Sequence, residues 1–409
     1  MNFKDPVFLV YLITFTDLFA IGLVYPLLNT HFQALGASHT FIGFMSSLYS
    51  ALQVFSGPVI GSLTDIKGRL FILKCSIFMC GICYGLLGFN KYLGFIVVIR
   101  LVIGCVKHIQ TICKAIITDI IPHDKQSEAY GKSTAVASFG FILGPFIGGH
   151  ISALPNGFTY VCLFTMVLFF INIAFVKKLE TSYKEIERNK KKNIIAKRPF
   201  FQQFKDEVRN SISDLKNVDW HKNWSTFTLR SLFGLSVSTF FFNQSLIQKE
   251  KYHLSQKHSG YITSYFNIVG TCSAFFLDYI NRLIRIKDSC GRMSFFFSLL
   301  AVSVIAMYIS SSLYTYLFVL IPFSLTCTAL RILSMELILK NTDEFHRGSL
   351  SGVSNSLMSI ARFVTPLVTG ILGDKFGEES VILFAVIPAL AGTLLSYYGG
   401  KKSLKLHES

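Results

Sequence analysis

Apolar residues in this chain gather into blocks of membrane-spanning length, each closed by a short polar turn. Twelve blocks can be drawn, at roughly 7–28, 40–62, 70–89, 92–120, 132–153, 157–176, 225–247, 259–280, 292–311, 314–339, 349–372 and 380–399. Lipid offers a backbone no hydrogen-bond partners, so blocks of this length predict helices. The expected fold is an all-α membrane protein, with twelve transmembrane helices in two pseudo-symmetric six-helix bundles. Residues 1–176 would form the first bundle, 177–224 a basic cytoplasmic linker, 225–400 the second bundle and 401–409 a tail. Within the linker, 180–188 and 202–215 suit short interfacial helices. Weak repetition at an offset of 221 supports the halves: Pro145 maps to Pro366, Gly149 to Gly370 and Gly131 to Gly352. The polar elbow 122–132 maps in the same way onto 343–353. Parallel halves of this kind are a transporter plan with the site at the midplane.

Composition agrees. The 409 residues are 51% hydrophobic and only 15% charged, with a mean hydropathy of +0.50, whereas soluble domains carry about 25% charged residues. A net charge of +16 could suggest a nucleic-acid partner, but most of the 39 Lys and Arg fall at the N-terminus, in alternate loops or in the tail. That is the positive-inside pattern, which predicts both termini in the cytoplasm and no nucleic acid. The first block follows MNFKD with no small-residue cleavage site and reads as a retained span. Nine cysteines lie in or beside the spans, so no disulfide framework is implied. Cys80 and Cys83 form C-x-x-C inside an apolar block and read as core. No H-E-x-x-H, span aspartate pair or triad spacing points to an enzyme, a metal or a cofactor.

The fourth block carries Arg100, Lys107 and Lys114, seven residues apart. On an ideal helix each lies about 20° from stacking over the last, so the three form one stripe. Steps of roughly 10 Å at an effective dielectric near 20 cost about 1.6 kcal/mol of repulsion. Burial costs more, about 2.5–3.5 kcal/mol each, so the stripe must face water or partners. Deep acids are few: Asp17 in span one and Glu336 in span ten. Arg331, five residues before Glu336, and Arg362 in span eleven add further cations. Charges at this depth normally mark a pathway. The candidate substrate and coupling residues are Asp17, Arg100, Lys107, Lys114, Arg331, Glu336 and Arg362. The positive excess suggests an anionic solute, with Asp17 as the protonatable group. Satisfaction of Arg100 and Lys114 by neighbouring carbonyls or acids is the plainer alternative.

Between spans two and three stands Gly61-Ser62-Leu63-Thr64-Asp65-Ile66-Lys67-Gly68-Arg69, which resembles the G-x-L-x-D-x-x-G-R signature of the major facilitator superfamily. Leu70 and Phe71 stand where that family often has another base. The resemblance implies a gating latch of Gly61, Asp65, Gly68, Arg69 and Asp119. In it Arg69 pairs with Asp119, and Asp65 faces the start of span eleven near Gly348. Arg100 with Gly104 is similar to the arginine motif of span four. Gly140-x-x-x-Gly144-Pro145-x-x-Gly148-Gly149 resembles the motif of the antiporter branches, where it is linked to sealing the pathway. Spans one to six are also similar to tetracycline-efflux-like, drug:proton antiporter relatives. The family places spans one, four, seven and ten around the cavity. Together these imply a monomeric secondary transporter working by alternating access, driven by the proton gradient with no cofactor. Its partners would be membrane lipid and a small-molecule substrate, in the plasma or an endolysosomal membrane. A non-transporting receptor or scaffold of the same fold and an uncoupled facilitator remain alternative readings.

Overall fold

The computed structural model describes residues 5–190, 220–284, 286, 288–340 and 347–407. Every regular element among them is helical: α1 Pro6–Ala34, α2 His39–Lys67, α3 Arg69–Phe89, α4 Leu93–Val106, α5 Ile109–Ile120, α6 His123–Ser152 and α7 Gly157–Lys190. After the linker come α8 Trp220–Tyr252, α9 Gln256–Ile284, α10 Ser289–Ile309, α11 Leu313–Lys340, α12 Arg347–Phe376, α13 Glu378–Val381, a 3-10 turn Ile382–Ala385 and α14 Val386–His407. Nine crossings among the described residues are long and apolar enough to span a membrane, with α4 and α5 forming one of them and α13 to α14 another. Helices α2, α8 and α9 are long enough, at 29, 33 and 29 residues, but carry more polar residues. On α2 these include Ser46, Ser47, Ser50, Gln53 and Ser56.

Local chemistry sets the helix ends. Asp5 caps α1 by accepting from Val7 N–H at 2.9 Å, with Pro6 at the first helical position. Asp288 caps α10 in the same way through Gly291 N–H. Gly68 turns α2 into α3 at φ +95°, where a side chain would be strained. The polar elbow 122–132 contracts to Ile121–Pro122, because the polar residues from His123 onward already belong to α6. Similarly, 180–188 is not a separate interfacial helix. It continues α7, where Glu180 holds Lys74 of α3 at 2.9 Å. The second interfacial helix, at 202–215, lies outside the described residues.

The chain divides into two compact units. The first takes the described residues of Met1–Leu35, Ala51–Asn210 and Gln256–Ser264. Its centre is α1, buried along Leu9, Ile13, Leu23 and Leu27 against α6 and α7. Small residues set the spacing of α1 and α6. A Cβ on Gly140 would lie 2.7 Å from Phe15 O, one on Gly144 2.7 Å from Phe19 O, and one on Gly148 2.3 Å from Leu23 O. Polar ties fix the α7 side, with Asn172 donating to Ile13 O at 3.2 Å and Thr165 to Ala20 O at 3.3 Å. The start of α9 packs on α6 in the same close manner, since a Cβ on Gly260 would meet Pro145 O at 2.3 Å.

The second unit takes Gly36–Ser50, Tyr265–Ser409 and Ser211–Ser255, again for their described residues. Phe240 of α8, Phe266 of α9 and Phe323 of α11 form its aromatic core, Phe240 and Phe323 with ring centroids 4.3 Å apart. The first third of α2 crosses α12 through Gly43, whose Cβ would meet Pro366 O at 2.1 Å, and Gly370, whose Cβ would meet His39 O at 2.5 Å. Pro145 with Gly149 and Pro366 with Gly370 thus serve equivalent crossings, α6 on α9 and α12 on α2. The offset of 221 has a physical basis: each pair lets another backbone approach its helix.

Candidate functional site

The fourth crossing is broken in its middle. α4 ends at Val106 and α5 begins at Ile109. Between them Lys107 adopts φ −80° and ψ 70°, and His108 N–H donates to Val106 O at 2.9 Å. That is an inverse γ-turn centred on Lys107. Freed backbone groups inside a membrane need partners, and α2 supplies them. Gln53 Nε2 donates to Lys107 O at 3.1 Å, and Ser56 Oγ to Gly104 O at 3.3 Å. The same Ser56 hydroxyl sits 2.7 Å from His108 Nε2.

The break turns Lys107 inward. Its ammonium is ion-paired with Asp17, whose side chain is wholly buried in the middle of α1. Gln110, in the first turn of α5, donates to the second carboxylate oxygen of Asp17 at 2.7 Å and to Thr14 O at 3.2 Å. The carboxylate therefore lies close to the N-terminal turn of α5, where a negative charge is favoured. The Lys107 ammonium also stands 5.3 Å from the centre of the Phe169 ring of α7, a cation–π contact. One buried cation and one buried anion neutralise each other at the point where the helix is interrupted.

The expected stripe of Arg100, Lys107 and Lys114 does not form. Its arithmetic needs one continuous helix, and the γ-turn changes the angular relation of everything after Lys107. Arg100 is buried in α4 and Lys107 in the turn, while Lys114 is exposed. Arg331, Glu336 and Arg362 belong to the second unit and are all exposed. Glu336 lies 3.9 Å from Arg292, and Arg362 donates to Ser359 at 3.0 Å. Arg230, buried beside them, donates to Arg331 O at 3.3 Å and to Ser334 at 2.7 Å.

The turn after α2 gathers its charges. Arg69 is ion-paired with Asp119 at the end of α5 and lies 3.6 Å from Asp65. Asp119 also accepts from Tyr183 of α7 at 2.7 Å. Gly61 lies six residues before the end of α2 and accepts from Thr64 at 2.6 Å. The counterpart expected for Asp65, the helix start near Gly348, falls beyond the side chains the structure describes. Gly140, Gly144, Pro145, Gly148 and Gly149 are all buried in α6, the first four on its α1-facing side and Gly149 toward α9.

Sequence reasoning did not find Gln53 and Ser56, whose three-residue spacing on α2 is the signal that a neighbouring backbone needs donors. It also gave no sign of Phe169, one apolar residue among many in span six.

A model described as Major Facilitator Superfamily matches residues 7–366. An uncharacterized MFS-type transporter of Methanocaldococcus jannaschii is 23% identical, over 96% of this chain and 97% of that protein. The quinolone resistance protein NorA of Staphylococcus aureus is 21% identical over 98% of each. Among solved structures, a bacterial homologue of the human lysosomal transporter Spinster aligns with a TM-score of 0.78 at 12% identity, covering 98% of this chain and 97% of that one. The human organic anion transporter MFSD10 (TETRAN) aligns with a TM-score of 0.65 at 17% identity, covering 97% and 100%.

Proposed function

This chain belongs to the major facilitator superfamily of membrane transporters, and from that membership we propose that it carries a small organic anion coupled to protons through Asp17 and Lys107. It is a multi-pass membrane protein and not an enzyme. The observation that carries the proposal is the buried ion pair at the break in the fourth crossing. A deprotonated Asp17 satisfies Lys107 and leaves it no charge to offer. A proton on Asp17 releases the ammonium, which then needs another anion at the same depth. A carboxylate or phosphate of the substrate supplies it, so proton and anion stabilise each other's binding.

The human MFSD10 structure, of a protein described as an organic anion transporter, shares the fold and adds weight to the anionic class. Exchange against protons is the second form of coupling, favoured by the Gly140–Gly149 string and its resemblance to the antiporter branches. Alternating access and the monomeric state follow the same proposal.

Flux in proteoliposomes tests the reading. Vesicles containing wild-type protein are offered a mixed extract of small organic acids, and accumulated solutes are identified by mass spectrometry. Wild type should accumulate specific anions when a pH gradient is imposed. Asp17→Asn should lose gradient-driven accumulation by about tenfold or more while retaining exchange of the same solutes. Undiminished pH-driven accumulation by Asp17→Asn would remove the carboxylate from coupling.

A further inference from the structure

At the opposite end of α2 from the Arg69 turn, three carboxylates gather around His39. His39 is the first residue of α2, one position before the span predicted at 40–62. Its Nδ1 lies 2.7 Å from a carboxylate oxygen of Glu378 of α13, and its Nε2 lies 3.2 Å from one of Glu250 of α8. The Glu378 side chain is 0% exposed, Glu250 29% and His39 16%. Asp374, near the end of α12, accepts from the backbone N–H groups of His39 and Thr40, both at 2.9 Å, and so caps α2 from another helix. Thr40 adds a bond to Gly370 O at 3.4 Å. All these residues lie in the second unit.

A proton on the ring would offset part of the acidic charge around it. Glu250, Asp374 and Glu378 all converge on His39. Lys251 donates to the carbonyls of Met307 and Tyr308, and Lys375 and Glu379 are exposed. Lys249 precedes Glu250 on α8. A buried carboxylate with no cation beside it is costly, and the imidazolium is the group placed to offset the charge of Glu378, with Glu250 on its other nitrogen.

We propose that His39, Glu250, Asp374 and Glu378 form a second proton-binding site, separate from Asp17, that fastens the start of α2 to α8, α12 and α13 when His39 is protonated and loosens it when the proton leaves. Glu378 foremost, with Glu250 and Asp374, holds His39 above its ordinary value of 6.5 against the opposing effect of burial. The fastening is therefore complete at and below that ordinary value. It is lost as pH rises through the raised one.

Hydrogen exchange of the full-length protein in lipid nanodiscs reads the site directly, without a transport substrate. Amides in the first two turns of α2 should be about tenfold better protected near pH 6 than near pH 9, after correction for intrinsic exchange. His39→Gln should show the low protection at both pH values. His39→Lys, permanently charged, should hold protection at both. The idea is overturned by wild-type protection that does not change with pH, or by a His39→Gln response equal to wild type. Because Asp17 lies on another helix in the other unit, failure here leaves its coupling role intact, and the reverse also holds.

Discussion

Lys107→Met is expected to destabilise the protein by about 3–5 kcal/mol, the usual cost of removing one partner from a buried ion pair. The Asp17 side chain is wholly enclosed, so its carboxylate cannot turn to water when the ammonium goes. Gln110 remains as a donor, but one neutral hydrogen bond does not replace a counter-charge. Methionine matches the lysine stem in length, so lost packing contributes little, although the cation–π contact with Phe169 goes with the ammonium. The decisive comparison is the double variant. Asp17→Asn combined with Lys107→Met leaves no unpaired charge and should recover most of the single variant's loss, read as thermal unfolding of detergent-purified protein. A double variant as unstable as Lys107→Met would mean that the loss does not come from a stranded Asp17 carboxylate.

Gly148→Ala should produce the second large effect. The added Cβ would sit 2.3 Å from Leu23 O and 2.8 Å from Leu23 Cα. Both are backbone atoms of α1, so no side chain can rotate away, and the helices must part along the whole stripe. Overpacking of this kind costs about 1–3 kcal/mol and occasionally more. Here the upper end is expected, because Gly140 and Gly144 lose their close contacts in the same movement. Gly131→Ala is the control on the same helix. Nothing lies within 4 Å of its Cβ, and the gain in helix propensity, up to about 1 kcal/mol, should leave stability equal or slightly higher. Thermal unfolding of the two variants side by side checks the argument. Equal losses would show that α6 disfavours any substitution of glycine, whatever the surrounding space.

Block length made the crossings legible because lipid imposes a similar demand on every span. The glycine string was legible for a related reason: only small residues permit close approach, and Gly140, Gly144 and Gly148 recur at helical spacing. What the pattern could not carry was the interruption at Lys107. No proline or glycine stands at Lys107 or His108, so nothing local announces a turn. The turn is stabilised by Asp17, Gln53 and Ser56, which are distant in sequence, and a periodicity argument assumes an unbroken helix. Asp17 and Lys107 could be singled out as deep charges of opposite sign, but their pairing depends on how α1 packs beside the break. The His39 group was equally hidden. Its members come from four helices, and each alone reads as an ordinary polar residue near a helix end.

The division of α2 bears on how this polypeptide can be made in pieces. Residues 36–50 pack with the later part of the sequence, although they are synthesised long before it. A fragment beginning at α8 would leave Gly370 and Glu378 without the segment that covers them. Split expression within the linker should therefore yield a stable C-terminal product only when the N-terminal one is present. During biogenesis, the nascent chain must leave the front of α2 unfinished until the last helices emerge.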